Sequence, residues 1–241
     1  MILGSPAHKG IFEEVDGAVA NLMAARKDPR IVCFNAHAAP HEMPAGAIAY
    51  NLENVGIQIS ADIFAGRTIW DFSARNVSRW RAAGRNAVHV PVAYHGAFTR
   101  FSPRRYAERD IDVAFVGDMN ARRQHILAAL RSRGLRVEHV FGLFGPARDS
   151  IFSRAKIAIN MRYYADGAYP ILRYLHAAAN QIPIISETSP EVPSWVSPAP
   201  VSYEALPDRI AFHIAQGQQS LESLARTALQ LLQTHPMALP V

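Results

Sequence analysis

The sequence predicts an α/β protein made of two Rossmann-like domains, each a parallel sheet with helices on its faces. Three observations carry this expectation. Strands and helices alternate through residues 110–187, a second alternation of similar length precedes them, and an irregular, arginine-rich segment with Gly96 and Pro103 joins the two. The 241 residues allow one large domain or two small ones, and a composition 49% hydrophobic supplies a core without staples.

The second alternation in chain order is the clearer one. Residues 110–118 form an apolar run with β-branched residues that closes on Gly117, which reads as a buried strand. Ile126, Leu127 and Leu130 then follow helical spacing, with Asp118 or Asn120 as N-cap. Strands are expected at residues 137–141, 157–161 and 182–186, and helices at 147–156 and 169–179. Ligands of such sheets sit at the carboxyl ends of the strands, which here carry Gly117, Gly142, Asn160 with Arg162, and Glu187.

In the first half, strands are expected at residues 2–5, 31–35, 47–53, 68–73 and 87–92. Ile11, Val15, Ala18, Val19 and Leu22 mark one helix, and Asn76, Val77 and Trp80 a second that Gly84 can end. The joining segment runs from about Tyr94 to Arg109. The expected organisation is a first domain over 1–95, a second over 110–205 and C-terminal helices over 206–235, with a frayed tail from His235.

Composition narrows the chemistry. The single cysteine, Cys33, excludes an intrachain disulfide and a cysteine-based zinc cluster, and its apolar surroundings read as core. His37, His41 and Glu42 lie on a loop with Pro40 and Pro44, without the spacing of a ligand set, so no metal site is expected. The net charge of +5 comes almost wholly from arginine, since Lys9, Lys27 and Lys156 are the lysines. Arginine suits phosphate recognition, yet these arginines are scattered and not interleaved with aromatics, which argues against a dedicated nucleic-acid surface. The opening residues are too short for a signal peptide and no apolar run approaches the ~20 residues of a membrane span. The expected location is cytoplasmic, with peripheral association at the inner face of a membrane, or with a partner protein, left open. There is no G-x-G-x-x-G after a first strand, no G-x-x-x-x-G-K-[ST] and no G-x-S-x-G, which weakens dinucleotide, P-loop and α/β-hydrolase readings.

Several short motifs, in order, resemble a group of bacterial glycosyltransferase-like proteins of the GT-B architecture. They are Tyr50-Asn51-Leu52-Glu53, Trp70-Asp71-Phe72-Ser73 with Asn76, Val90-Pro91-Val92, and residues 110–117 with Asn120, Arg122 and Arg123. Residues 155–160 before Tyr163-Tyr164, and the stretch from Arg173 to Glu187, continue the likeness. The resemblance implies two Rossmann-like domains in a GT-B-like arrangement, with a nucleotide-diphosphate sugar as donor substrate and no metal or other cofactor. The acceptor is a saccharide, a protein or a small molecule.

It further implies a donor site in the second half. There Gly117 lets the backbone approach a ligand, the helix start near Asn120 is electropositive, and Arg122 and Arg123 add charge. Lys156, Asn160, Asp166, Arg173 and Glu187 complete the candidate donor residues, with Lys156 meeting either a phosphate or a carboxylate. A glutamate is expected near the start of the helix at 169–179, where this chain has Pro170; Asp166 is the acid nearest to it. Candidates for the catalytic base are His8, Glu53, Asp71 and His95. The alternative to an enzyme is a non-catalytic protein of the same fold that binds a nucleotide or glycan or serves as a partner subunit.

Overall fold

The computed structural model describes residues 2–4 and 13–240; His8 lies outside them. The chain divides into two compact units, Met1–Ala97 with Met237–Val241, and Phe98–Pro236.

The first unit holds five parallel strands: β1 (Ile2–Gly4), β2 (Val32–Phe34), β3 (Ile48–Asn51), β4 (Thr68–Asp71) and β5 (Asn86–His89). Their spatial order follows the chain order. Helix α1 (Glu13–Ala25) connects β1 to β2, and α2 (Ala74–Ala82) connects β4 to β5. The register is visible in three aromatic side chains. Phe34 pairs with Tyr50 and Tyr50 with Trp70, and the rings meet across the strands with centroids 5.2 and 6.0 Å apart, the first pair tilted and the second edge-to-face. The Tyr50 hydroxyl donates to Val90 O at 2.7 Å, so its buried polar end is satisfied. Ser73 caps α2 by accepting from Asn76 N at 3.0 Å, and Gly84, with φ 72°, follows its end. The face of the sheet toward α2 buries Ile69, Val77, Trp80 and Phe64.

The tail does not fray. Met237 N donates to Tyr94 O at 2.7 Å, and Arg26 and Arg30 donate to Leu239 O and Pro240 O at 2.7 and 3.0 Å. Met237 and Leu239 are buried in this arrangement; their apolar side chains give a segment that looks featureless in sequence something to gain by docking.

The second unit holds β6 (Ile111–Val116), β7 (Val137–Val140), β8 (Ala155–Asn160) and β9 (Ile184–Ser186), all parallel, in the order β7-β6-β8-β9. Helices α3 (Ala121–Arg131), α4 (Gly145–Ser153), α5 (Ile171–Ala179), α6 (Leu206–Ala215) and α7 (Gln218–Gln233) accompany them. Phe115, Leu127, Ile159, Ile185, Ile210 and Leu221 belong to its main core. The chain leaves β6 for β7 on one side and returns to β8 on the other, so the direction reverses between β6 and β8. The first sheet contains no such reversal.

Two expectations shift here. Residues 155 and 156 are the first two of β8, not the end of a helix, because Asp112 draws Lys156 into the sheet's amino edge with a 2.7 Å ion pair. Helix α5 begins at Ile171, one residue after Pro170. The joining segment is not free: the buried side chain of Asn180 accepts from Arg100 N and Phe101 N at 2.7 and 2.9 Å and donates to Phe98 O and His176 O at 2.8 and 2.7 Å. Four bonds from one amide saturate it and tie residues 98–101 to the end of α5.

Candidate functional site

In the second unit the carboxyl ends of β6 and β8 flank the reversal of strand order, the place where open α/β sheets admit ligands. Asn120 is the cap of α3. Its Oδ1 accepts from Arg123 N at 3.0 Å, and its Nδ2 donates to Tyr163 O at 2.8 Å, which ties the helix start to the segment after β8. Four arginines gather on this edge: Arg122 and Arg123 from the first turn of α3, Arg162 from the segment after β8, and Arg173 from the first turn of α5.

Arg122 and Arg162 share one fully buried carboxylate, Glu187. Arg122 meets it through both Nη atoms, at 2.8 and 2.5 Å, while Arg162 donates through its backbone N at 3.0 Å and Nε at 2.9 Å. The Arg122 guanidinium also lies 3.9 Å over the Tyr203 ring, whose hydroxyl donates to Arg122 O at 2.6 Å.

Arg123 and Arg173 are different. Arg123 donates to Asp118 O, Met161 O and Arg162 O at 2.7, 2.7 and 3.2 Å. Arg173 donates to Val116 O, Asn160 Oδ1 and Met161 O at 2.6, 2.8 and 3.2 Å. Both guanidiniums lie about the Phe115 ring, at 5.1 and 5.0 Å, and Arg123 is also 5.0 Å from the Tyr163 ring. Neither forms an ion pair among the described residues. Burial first, then the charge of Arg123, pulls Arg173 down to about 9, and burial pulls Arg123 down to about 10. Both remain cations at neutral pH; Asp118 and Glu187 act on Arg123 only from a distance, so the four arginines of this edge exceed the carboxylates that pair with them among the described residues.

Gly117 has a specific reason to be glycine. Its φ is 153°, and a Cβ there would stand 2.7 Å from Arg173 Nη2 and 3.2 Å from the Phe115 ring. What approaches this backbone is thus the Arg173 guanidinium. His139, stacked on Phe115 at 5.6 Å, donates from Nε2 to Gly117 O at 2.8 Å.

Asp166 is exposed on the segment between β8 and α5, and Gly142 is exposed after β7. Lys156 is not brought to this cluster, since it stands at the amino edge with Asp112. Phe115, His139, Arg162 and Tyr163 were outside the candidate residues. Of these, Arg162 stood next to a strand end and Phe115 and Tyr163 lay in the quoted motifs, while His139 carried no sequence signal.

In the first unit the carboxyl ends of β2, β3 and β4 carry Asn35, Asn51 with Glu53, and Asp71 with Ser73. Asp71 is fully buried and accepts from Asn51 Nδ2, Trp80 Nε1, Ser73 N and Asn76 Nδ2 at 2.7, 2.8, 2.9 and 3.1 Å. Burial outweighs these four donors and holds its carboxyl up at about 6. Glu53 is half-buried. Burial raises it to about 7, opposed by hydrogen bonds from Gln58 and Asn35. His95 is half-buried and accepts from Ala97 N at 3.1 Å. His37, His41 and Glu42 fall on two 3-10 turns between β2 and β3.

The raised Glu53 has a thermodynamic consequence. Its folded-state value exceeds the ordinary carboxylate range, so the folded state binds this proton more tightly than the unfolded chain. The stability it contributes is present below about pH 4.5 and is lost as pH rises through about 7. Glu53→Gln removes that dependence. The stability of wild type minus that of the variant, from urea melts, is expected to fall by on the order of 2 kcal/mol between about pH 4.5 and pH 8.

No protein-family profile matches the chain. Among curated proteins it is similar to two uncharacterised proteins of Acanthamoeba polyphaga mimivirus. One, L138, is 32% identical over 106 residues, covering 42% of this chain and 12% of that protein. The other, L140, is 29% identical over 150 residues, covering 59% and 49%. The chain thus spans less than half the length of these curated relatives.

Among solved structures, TarM superposes with TM-score 0.57 at 8% identity, over 86% of this chain and 51% of that one. A glycosyltransferase from Rickettsia africae ESF-5 gives 0.54 at 8% identity, over 97% and 78%. AviGT4, a glycosyltransferase involved in avilamycin A biosynthesis, gives 0.50 at 13% identity, over 91% and 85%. These likenesses show the fold: the chain has the glycosyltransferase fold of the GT-B kind, with two Rossmann-like parallel sheets.

Proposed function

We propose that the second unit binds a nucleotide-diphosphate sugar at the carboxyl edge of its sheet, and that the chain transfers the sugar to a saccharide, protein or small-molecule acceptor without a metal. The observation that carries this reading is the pair Arg123 and Arg173: two buried guanidiniums that meet no carboxylate in an ion pair among the described residues, at the point where the strand order reverses. A diphosphate supplies the missing negative charge, and the amino end of α3 supplies unpaired N–H groups and a favourable dipole. Arginine charge then does for the leaving diphosphate what a metal does elsewhere. Glu53, held up near neutrality, suits the role of proton acceptor for the acceptor hydroxyl. Asp71 fits an anchoring role better, because its four acceptor positions are already engaged.

A second reading, a nucleotide- or glycan-binding protein without transfer activity, is favoured by one observation. Pro170 stands immediately before α5, where the resemblance leads one to expect a glutamate, and the acid on the preceding segment, Asp166, is exposed.

Calorimetric titration with UDP, GDP, dTDP, ADP and CMP, with and without magnesium, tests the first reading. Saturable binding of one nucleoside diphosphate that does not need magnesium is expected. In Arg173→Lys, which keeps the charge and loses the planar fork, affinity should fall by roughly tenfold. Unchanged affinity in that variant removes Arg173 from the phosphate site.

A further inference from the structure

Three asparagines of the first unit converge on Glu53 from three different elements. Asn51, the last residue of β3, donates from Nδ2 to Glu53 O at 2.8 Å and accepts from Glu53 N at 3.2 Å. Asn76, in the first turn of α2, donates to the same Glu53 O at 2.7 Å and accepts from Val55 N at 3.1 Å. Asn35, just after β2, accepts from Leu52 N at 2.9 Å and donates to the Glu53 carboxylate at 3.2 Å. All three amides are buried, and each bridges different parts of the turn after β3. The peptide of Glu53 is therefore held from both sides, and its carboxylate is held by Asn35.

Asn35 adopts a left-handed backbone, φ 44° and ψ 39°, which is disfavoured for a side chain with a Cβ. Its own N–H donates to Tyr50 O at 3.1 Å, so the main chain leaves β2 in register and then turns sharply. A turn alone is served better by glycine. Glycine cannot bridge Leu52 N and the Glu53 carboxylate, and the asparagine amide does both at this position. Strained residues of this sort collect where a functional group is being aimed.

We infer that Asn35 is a positioning residue for Glu53, with Asn51 and Asn76 fixing the peptide that carries it, so that this carboxylate is aimed and tuned as a proton acceptor. The inference rests on the sugar-transfer reading above for what the proton acceptor is used for. The titratable and charged groups on the elements packed about this turn include His37, His41 and Glu42 between β2 and β3, Asp71 of β4, and Arg75, Arg79 and Arg81 of α2. Among the described residues none of them forms an ion pair with Glu53. Its tuning therefore falls to burial and to the donors Asn35 and Gln58.

The test is a nuclear magnetic resonance titration of the intact chain, together with transfer rates. In the wild type, the Asn35 side-chain amide should shift with the midpoint of the Glu53 carboxyl, near the value of about 7. That response should vanish in Glu53→Gln. Asn35→Gly keeps the left-handed turn and removes the donor. The Glu53 midpoint should rise, because the ionised form loses a hydrogen bond. In the same variant kcat near pH 7 should fall about tenfold with KM little changed, and the acid limb of the pH–rate profile should move with the titration.

Asn35→Asp is the second variant. It retains an acceptor for Leu52 N and sets a carboxylate against Glu53, which should raise the midpoint further. An Asn35 amide blind to Glu53, or a midpoint unmoved in both variants, overturns the inference. If the titrations move as stated while Glu53→Gln leaves transfer unchanged, the coupling of Asn35 to Glu53 stands and the assignment of Glu53 to transfer falls.

Discussion

Asp71→Ala is expected to destabilise the first unit by about 3–5 kcal/mol. The carboxylate is fully buried and accepts from four donors on three elements: β3, the turn after β4, and α2. Alanine leaves the Trp80 indole, one backbone N–H and one N–H of each of two asparagine amides without an acceptor in a place water does not reach. Asn51 and Asn76 also hold the peptide of Glu53, so the damage extends to the turn after β3. Asp71→Asn should be nearly as harmful, since its NH2 group faces donors. Urea melts read the loss as a lower midpoint at constant slope, and hydrogen exchange should place it in the first unit. A midpoint within ~0.5 kcal/mol of wild type would mean that these four bonds do not hold the sheet.

Glu187→Ala is expected to cost the second unit a similar ~3–5 kcal/mol. One buried carboxylate pairs with two guanidiniums there, and its removal leaves Arg122 and Arg162 as partly buried charges beside Arg123 and Arg173. The loss is one of unpaired charge more than of contact, which gives it a signature. In a double-mutant cycle, Arg122→Ala made on top of Glu187→Ala should cost less than Arg122→Ala alone, because it removes a stranded cation. Additive losses would show that Glu187 acts through packing instead. An added polyanion should recover part of the lost stability in Glu187→Ala, by supplying negative charge at the same edge.

Much of the scaffold was legible because it follows from periodicity. The apolar run of β6 and the 3.6-residue spacing of Ile126, Leu127 and Leu130 are local signals, and Asn120 caps α3 as a short polar residue at that place should. Strands β2, β3 and β4 of the first unit were legible for the same reason, each being a short, largely buried run with a polar residue at or just after its end. Where partners distant in sequence decide the outcome, the residues alone said less. Residues 155 and 156 lack a helical or strand period of their own, and it is Asp112 that commits Lys156 to the sheet. The tail beyond His235 looks featureless until Tyr94, Arg26 and Arg30 accept or donate bonds to it.

The candidate sites divide along the same line. Gly117, Asn120, Asn160 and Glu187 were picked out as candidates by their positions at strand and helix ends. That Gly117 makes room for Arg173 is a contact between β6 and α5 which no local pattern contains. The asparagine cradle was visible only as polar residues closing strands, since Asn35, Asn51 and Asn76 acquire their meaning from a shared target.

The most direct measurement is a titration of the isotope-labelled chain with UDP, GDP, dTDP and ADP, following backbone amides. Saturable shifts are predicted for one of these nucleotides, strongest at residues 117–122 and 161–166, with the Arg123 and Arg173 guanidinium signals moving in step. A folded chain that gives no saturable shift with any of the four, or shifts that leave those two arginines untouched, would contradict the assignment of this edge to a nucleoside diphosphate.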